Sequence, residues 1–323
     1  MMVYRQLDEA PLDGASLIAT IGNFDGVHRG HRWVIARVRA RAAELGRRSA
    51  VVTFDPHPAR ALRPTEQRPM ITPLPRKLEL LEETGVDATI VLPFSEELSR
   101  MSARGFAKDV LRDRLHIEEL HEGENFRFGY GAEADMQTLT MLGSELGFRV
   151  HAYAPERLMG GIVSSSRIRT LVAAGEVLAA RRLLGWTFGV DSTAASGRGY
   201  GTRYAVPTIN LAPYAELLPA HGVYVTALRV GEGSGARWFE GVTNVGNRPT
   251  FGEDSFAVES YLLDFEPIAL TEETPLRLEF LKHLRGEQRW PTPEALKEQI
   301  GRDVARAERF FRLRRRLKRD ERP

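Results

Sequence analysis

Gly22-Asn23-Phe24-Asp25-Gly26-Val27-His28-Arg29-Gly30-His31 is the stretch that decides the fold. It follows the apolar run Leu17–Ile21, which reads as a buried strand. It precedes residues 33–44, where Val34, Val38 and Ala42 recur at helical spacing. Two histidines around a glycine therefore stand where a strand hands over to a helix. Free backbone N–H groups and the positive end of the helix dipole make such a junction a phosphate site. Imidazole donors added there can hold a triphosphate without a P-loop, which points to nucleotidyl transfer, and Asn23 and Asp25 can shape the loop. Helix capping is the plainer reading of the pair. A metal site would want a third ligand, and none lies nearby in sequence.

The same alternation continues outward. Strand-like runs at 50–54, 88–92, 119–122 and 149–153 are separated by helical patterns at 76–84, 103–115 and 135–145. Two more helical segments, 165–174 and 176–184, each stop at a glycine, Gly175 and Gly185. This pattern predicts an α/β domain with a parallel sheet and right-handed crossovers. Its ligand would sit beyond the C-terminal strand ends. After Gly185 the strand-like runs 223–230, 238–245, 257–265 and 276–281 have no helices between them, as in a small antiparallel barrel. A last helix begins near Thr292 and Pro293 and carries Leu296, Ile300, Val304, Ala307, Phe311 and Leu317 on one stripe. The chain of 323 residues thus reads as two domains, 1–185 and 186–323.

Composition narrows the class. The chain is 42% apolar and 27% charged, ordinary for a soluble globular protein, and has no cysteine for disulfides or thiolate sites. No signal-like or membrane-spanning run is present, so the cytoplasm is the expected address and a membrane is not an expected partner. The net charge is only +2, so nucleic acid is not expected either. Eight Lys/Arg against two acids in residues 309–323 read as the solvated face of the last helix. An oligomer is compatible with the sequence.

Further clusters carry chemistry. Ser164-Ser165-Ser166-Arg167-Ile168-Arg169 places N-cap hydroxyls and two guanidinium groups at a helix start, a second anion site. Pro56 and Pro58 stiffen the loop after a strand, as a wall for a flat ring or as an ordinary proline turn. Phe126 and Phe128 either stack on a ring or pack in the core. In the second domain, Gly197-Arg198-Gly199-Tyr200-Gly201 reads as a phosphate-approaching loop or as a linker. No Walker element is present. Thr208 and Asn210 offer neutral oxygens that can complete a Mg²⁺ shell with ATP. Glu259, inside the apolar run 257–262, is either the acceptor of an alcohol proton or a solvent-facing strand residue.

With these motifs in this order, the chain resembles the bifunctional bacterial riboflavin kinase/FAD synthetase family. The match runs through the His28–His31 loop, Thr53-Phe54-Asp55-Pro56-His57-Pro58, Glu124-Asn125-Phe126-Arg127-Phe128-Gly129 and the serine–arginine cluster. It continues in Gly197-Arg198-Gly199, Pro207-Thr208-Ile209-Asn210, the turn Asn247 to Phe251, and Val258-Glu259. The resemblance implies a Rossmann-like nucleotidyltransferase domain followed by a six-stranded riboflavin kinase barrel with a C-terminal helix. It implies ATP-dependent phosphorylation of riboflavin to FMN, then adenylylation of FMN to FAD with release of pyrophosphate.

By the same resemblance, His28 and His31 contact ATP phosphates, in a loop whose Asn23, Asp25 and Gly30 belong to that site. Asn125 places the nucleotide and flavin phosphate, and Ser165, Ser166 and Arg169 hold the pyrophosphate side. Phe54, Pro56, His57, Pro58, Phe126 and Phe128 fall on the flavin side. Gly197, Arg198 and Gly199 meet ATP in the barrel, Thr208 and Asn210 hold Mg²⁺, and Glu259 is the base. One departure is visible: Tyr204-Ala205-Val206 stands where the family has Leu-Gly-Phe, which narrows the local backbone choices. The alternative reading is a monofunctional FMN adenylyltransferase with a flavin-binding, weakly active barrel. A non-catalytic flavin carrier is a further rival. So is an RNA-binding relative, although the Lys-Met-Ser-Lys-Ser loop of the aminoacyl-tRNA synthetases is absent.

Overall fold

Apolar runs bounded by glycine and proline become strands in both halves of the chain. The computed structural model describes residues 1–5, 16–66, 68–195, 208–247, 256–264 and 270–320. These divide by contacts into two units, Met1–Ser165 and Ser166–Pro323.

The first unit is built on a parallel sheet with six strands among the described residues. They are β1 (Met2–Tyr4), β2 (Leu17–Ile21), β3 (Arg48–Asp55), β4 (Ala88–Pro93), β5 (Ile117–Gly123) and β6 (Arg149–Tyr153). Their spatial order is β1-β4-β3-β2-β5-β6. Every pairing is parallel, as crossover helices require. Those helices are α1 (Arg29–Leu45), α2 (Pro58–Leu62), α3 (Leu74–Glu82), α4 (Glu96–Ser99), α5 (Ala103–Gly105) and α6 (Met136–Leu146). α5 runs straight into π-wound turns over Phe106–Arg114. The helix expected across 103–115 is therefore present but more widely wound, with Phe106, Ala107, Val110 and Leu111 turned inward.

β2 and β3 are buried on both faces. On one, Ala19, Ile21, Val52, Ile90 and Leu92 join Phe106, Val110 and Leu139 in one core. On the other, Ile18 packs on Val38 and Ala42 of α1. The strand order reverses between β2 and β5, so the crevice beyond their C-terminal ends is the topological switch point. The histidine loop lies there. β1 was not legible in the sequence, because three residues show no alternation; among the described residues it pairs with β4 alone. A short hairpin, β7 (Arg157–Leu158) with β8 (Gly161–Ile162), follows β6.

The second unit begins with α7 (Ser165–Ala173), whose first residue closes the first unit, and α8 (Val177–Leu184). It then forms β9 (Gly189–Thr193), β10 (Thr208–Asn210), β11 (Gly222–Val230), β12 (Arg237–Asn247), β13 (Phe256–Leu262), β14 (Pro275–Gly286) and α9 (Pro293–Asp320). The strands form an antiparallel sheet in the order β10-β13-β12-β11-β14-β9. A bridge between Ala194 and Leu211 joins the ends of the two edge strands, curling the sheet toward a barrel. Its interior holds Phe188, Tyr224, Leu228 and Phe280 around a hydroxyl ladder. Thr243 Oγ1 lies 2.7 Å from Thr226 Oγ1 and 2.8 Å from Ser260 Oγ, so these buried groups satisfy one another. Outside, Ala307 and Phe311 of α9 pack on Val223, Val225, Val242 and Leu281. No helix of the described residues is long and apolar enough to cross a membrane.

Candidate functional site

The turn after β2 is held in an uncommon backbone. Phe24 and Val27 have φ of 48° and 34°, a region that a β-branched residue rarely enters. Asp25 braces it. Its buried carboxylate accepts the N–H groups of Ile71 (3.2 Å) and Thr72 (3.0 Å), while the Gly26 N–H donates to the Thr72 hydroxyl (2.8 Å). Arg32 adds a bond from Nε to the Val27 carbonyl at 3.2 Å. Asp25, expected in the phosphate site, is thus turned to the backbone of residues 71–72 and shapes the loop from beneath.

The braced loop delivers His28 to the N-cap of α1. Nδ1 of His28 accepts the backbone N–H of His31 at 3.3 Å, which leaves the ring proton on Nε2. The His31 ring stacks on it, with centroids 3.5 Å apart and planes 14° apart. Glycine at position 30 permits this closeness, since a Cβ there would stand 3.3 Å from the His28 ring. Burial keeps both imidazoles neutral. The His28 ring is pushed down to about 4, and burial takes the His31 ring well below the usual histidine range, with the adjacent His28 ring and the Lys77 charge acting in the same direction. Nδ1 of His31 is buried with no hydrogen-bond partner among the described residues. Neutral imidazoles with unused capacity at a helix N-terminus suit an anion that brings its own charge. Asn23 is exposed beside them, its carbonyl accepting from the Thr53 hydroxyl at 3.3 Å. Ser165, the last residue of the first unit, donates its hydroxyl to the Asp25 carbonyl at 2.8 Å. Ser166 and Arg169 follow on α7, in the second unit.

The elements expected on the flavin side separate into open and packed residues. Phe54, next to the last residue of β3, meets Phe94 edge to face at 5.7 Å. The Asp55–Pro56 peptide is cis. His57 caps α2 by accepting the Ala59 N–H on Nδ1 at 3.1 Å, and Pro58 is the first residue of that helix. Asn125 is exposed in the turn after β5. Phe126 is half-buried and stacks on Phe128 at 5.7 Å. Phe128 is buried in the core and packs against Phe106, the second of the two readings that the sequence left open for it.

Glu122, at the end of β5, is a site residue that sequence reasoning passed over. Its Oε1 accepts the Ile21 N–H at 2.5 Å and the Thr20 hydroxyl at 3.3 Å, filling the gap where β2 and β5 part. Burial raises its carboxyl well above the usual carboxylate range, against those two hydrogen bonds. A raised folded-state pKa gives stability that is complete below the unfolded value and is lost as pH rises through the folded one. Glu122→Gln removes that loss. Its stability is expected to gain on the wild type as pH rises above the usual carboxylate range, by at most about 1.4 kcal/mol per pH unit, read as a rising difference in thermal midpoint. Parallel curves of midpoint against pH would show that Glu122 ionises freely.

Glu119, His121 and His151, on adjacent strands β5 and β6, come within 4.8 Å of one another. Arg41 donates to both Glu119 oxygens at 2.9 and 3.0 Å, and Arg149 pairs with the same carboxylate. Two guanidinium groups already occupy the acid, so the cluster reads as an ionic brace of the sheet edge rather than a cation site.

In the second unit, β10 and β12 flank β13 so that Asn210 and Asn244 are both register partners of Glu259. Thr208 lies opposite Tyr261, two residues along. Opposed residues in an antiparallel pair share a face, so Thr208, Asn210, Glu259 and Asn244 line one side of the curled sheet. The cluster of Val223, Val242 and Tyr261 under α9 shares that side. Asn244 was not singled out in the sequence, because only strand register brings it to Glu259. Gly197, Arg198, Gly199, the departure at 204–206 and the turn after Asn247 lie outside the described residues.

Comparison with known proteins agrees with this two-part geometry. The FAD synthetase family model matches residues 12–167, and the riboflavin kinase model matches residues 184–311. The bifunctional riboflavin kinase/FMN adenylyltransferase of Pseudomonas fluorescens is 37% identical over 95% of this chain and 97% of its own length. The protein of the same name from Escherichia coli K12 is 32% identical over 96% of each chain. That from Haemophilus influenzae is 31% identical over 96% of this chain and 99% of its own. Among solved structures, the macrolide-efflux protein of Streptococcus pneumoniae shares the fold, with a TM-score of 0.84 over 95% of this chain and 98% of its own at 22% identity.

Proposed function

The chain belongs to the family of bifunctional riboflavin kinase/FMN adenylyltransferases, and from that premise we propose which residues carry each of its two reactions. It phosphorylates riboflavin with ATP to give FMN, then joins AMP from ATP to FMN to give FAD and pyrophosphate. The proposed division is residues 1–185 for adenylyl transfer and 186–323 for phosphorylation.

For phosphorylation, Glu259 takes the proton of the terminal ribityl hydroxyl. That oxygen attacks the γ-phosphorus as the bond to ADP breaks. Thr208 and Asn210 are hard, neutral oxygen donors on the face that Glu259 shares, a set that fits Mg²⁺. When bound, the ion would neutralise charge on the ATP phosphates. For adenylyl transfer, an FMN phosphate oxygen attacks the α-phosphorus and pyrophosphate departs, with no protein nucleophile. Here the protein aligns reactants and meets charge. His28 and His31 donate to the phosphates at the N-terminus of α1, Asn125 places the flavin phosphate, and Phe54, Pro56 and Phe126 border the flavin. For Ser165, Ser166 and Arg169 the pyrophosphate role rests on the motif alone.

One observation above all supports two activities over the monofunctional alternative. Asn210 and Glu259 are direct register partners, on a face they share with Thr208, an arrangement that a barrel serving only to bind flavin would not need. The test is chromatography of riboflavin incubated with the full-length protein, ATP and Mg²⁺. FMN should appear first and FAD after it. Unchanged riboflavin, with added FMN still converted to FAD, would establish the monofunctional alternative.

A further inference from the structure

A lysine that no motif singled out lies beneath the histidine loop. Lys77 is on α3, three and four residues before Leu80 and Leu81, and is carried inward with them to 5% exposure. Its Nζ donates one long hydrogen bond, 3.4 Å, to the Thr53 hydroxyl on β3. No other hydrogen bond or ion pair is found for it among the described residues. Burial holds its proton affinity below the usual lysine range, while Asp25 and Asp55 favour its charge through space. Neither carboxylate closes on it, and that of Asp25 is engaged by the backbone of Ile71 and Thr72. An ammonium has three N–H donors, and a buried one left with two unused is costly unless a ligand completes it.

The neighbouring ring repeats the pattern. Lys77 is close enough to His31 for its charge to lower that ring's proton affinity, and His31 has its own buried, unpartnered Nδ1. Two incompletely bonded groups from different elements thus lie by the C-terminal ends of β2 and β3: Thr53, which accepts from Lys77, itself donates to the Asn23 carbonyl of the loop that carries His31. What would complete both is a strong multi-oxygen anion.

We propose that Lys77 is a catalytic residue of adenylyl transfer, donating to the oxygens between the α- and β-phosphorus of ATP. The inference rests on the adenylyl-transfer reading of this crevice. An FMN phosphate oxygen forms its bond to the α-phosphorus while the bond from that phosphorus to the bridging oxygen breaks. The electron pair stays on the departing pyrophosphate, where the Lys77 ammonium meets it, and no proton has to move. Riboflavin phosphorylation, in the other unit, has no use for Lys77.

The test uses the full chain with Lys77→Met, which keeps length and removes charge, and Lys77→Gln, which keeps a neutral donor to Thr53. The readouts are FAD formation from FMN and ATP, the reverse reaction with FAD and inorganic pyrophosphate, and phosphorylation of riboflavin as a check on folding. Both variants should lose roughly a hundred- to a thousandfold in the rate of FAD formation. The apparent affinity for inorganic pyrophosphate should weaken, the KM for FMN should hold, and riboflavin should still be phosphorylated at the wild-type rate. If Lys77→Met does not fold, Lys77→Gln decides. Wild-type FAD formation and unchanged pyrophosphate affinity in a folded variant would overturn the assignment. So would a loss confined to the KM for FMN. If the wild type itself made no FAD from FMN, the adenylyl-transfer reading would fail first, a result distinct from either outcome in the variants.

Discussion

Glu259→Ala is expected to slow riboflavin phosphorylation by roughly 10²–10⁴-fold, the usual contribution of a positioned general base, while FMN supplied directly is still converted to FAD. Glu259 is β13's contribution to a face it shares with Thr208, and its register partners Asn210 and Asn244 stand on either side of it. A primary alcohol is a poor nucleophile until its proton has an acceptor in line with the attacking oxygen. Strand pairing places the Glu259 carboxylate on the face where that acceptor is needed. Alanine leaves the strand pairing intact, because the backbone bonds of β10 and β12 to β13 do not involve the side chain. Product-resolved chromatography checks both halves of the result. Riboflavin phosphorylated at the wild-type rate would remove Glu259 from the mechanism. Loss of both activities would mean that the substitution had damaged the fold.

His31→Ala is expected to cut FAD formation by roughly a hundred- to a thousandfold, the effect of deleting one preorganised donor to developing charge. FMN formation should continue. The magnitude follows from what the residue does not do in the free protein. His31 is stacked on His28 and neutral, and its Nδ1 is buried without a partner among the described residues. Its capacity for a hydrogen bond is therefore available to the nucleotide, not to the fold. His28 is different. Its Nδ1 already accepts the helix N–H, so His28→Ala should lower stability as well as rate, by about the 1 kcal/mol typical of a lost N-cap. Steady-state rates for FMN adenylylation, measured beside riboflavin phosphorylation on the same preparation, separate the two roles. Unchanged FAD output in His31→Ala would defeat the phosphate assignment.

The order of strands and helices was legible because each carries its own periodicity. Leu17–Ile21 and Arg149–Tyr153 were readable to the residue, and glycine stops closed α7 and α8. The histidine pair was legible because a strand-to-helix glycine turn has few other uses. What pairing alone creates stayed hidden. Asn244 becomes a neighbour of Glu259 only through the register of β12 against β13. Asp25 was legible as a residue that can shape the loop, but its partner Thr72 was not, being distant in sequence. Phe126 and Phe128 flank one arginine in the sequence, and only the fold shows that Phe128 packs on Phe106 in the core while Phe126 stays half-buried. Lys77 left a signal that can be read: a lysine in step with Leu80 and Leu81 on an inward stripe is too costly to bury idly. Glu122 left a weaker one, since a strand-end glutamate is usually solvated.

The central claim is that the two reactions use separate sites on one chain. It is tested most directly by giving riboflavin, ATP and Mg²⁺ to His31→Ala, to Glu259→Ala and to an equal mixture of the two, and resolving the flavins over time. The account predicts FMN without FAD from the first, unreacted riboflavin from the second, and FAD from the mixture. A mixture that makes no more FAD than either variant alone, or a single variant that carries riboflavin through to FAD, would contradict it.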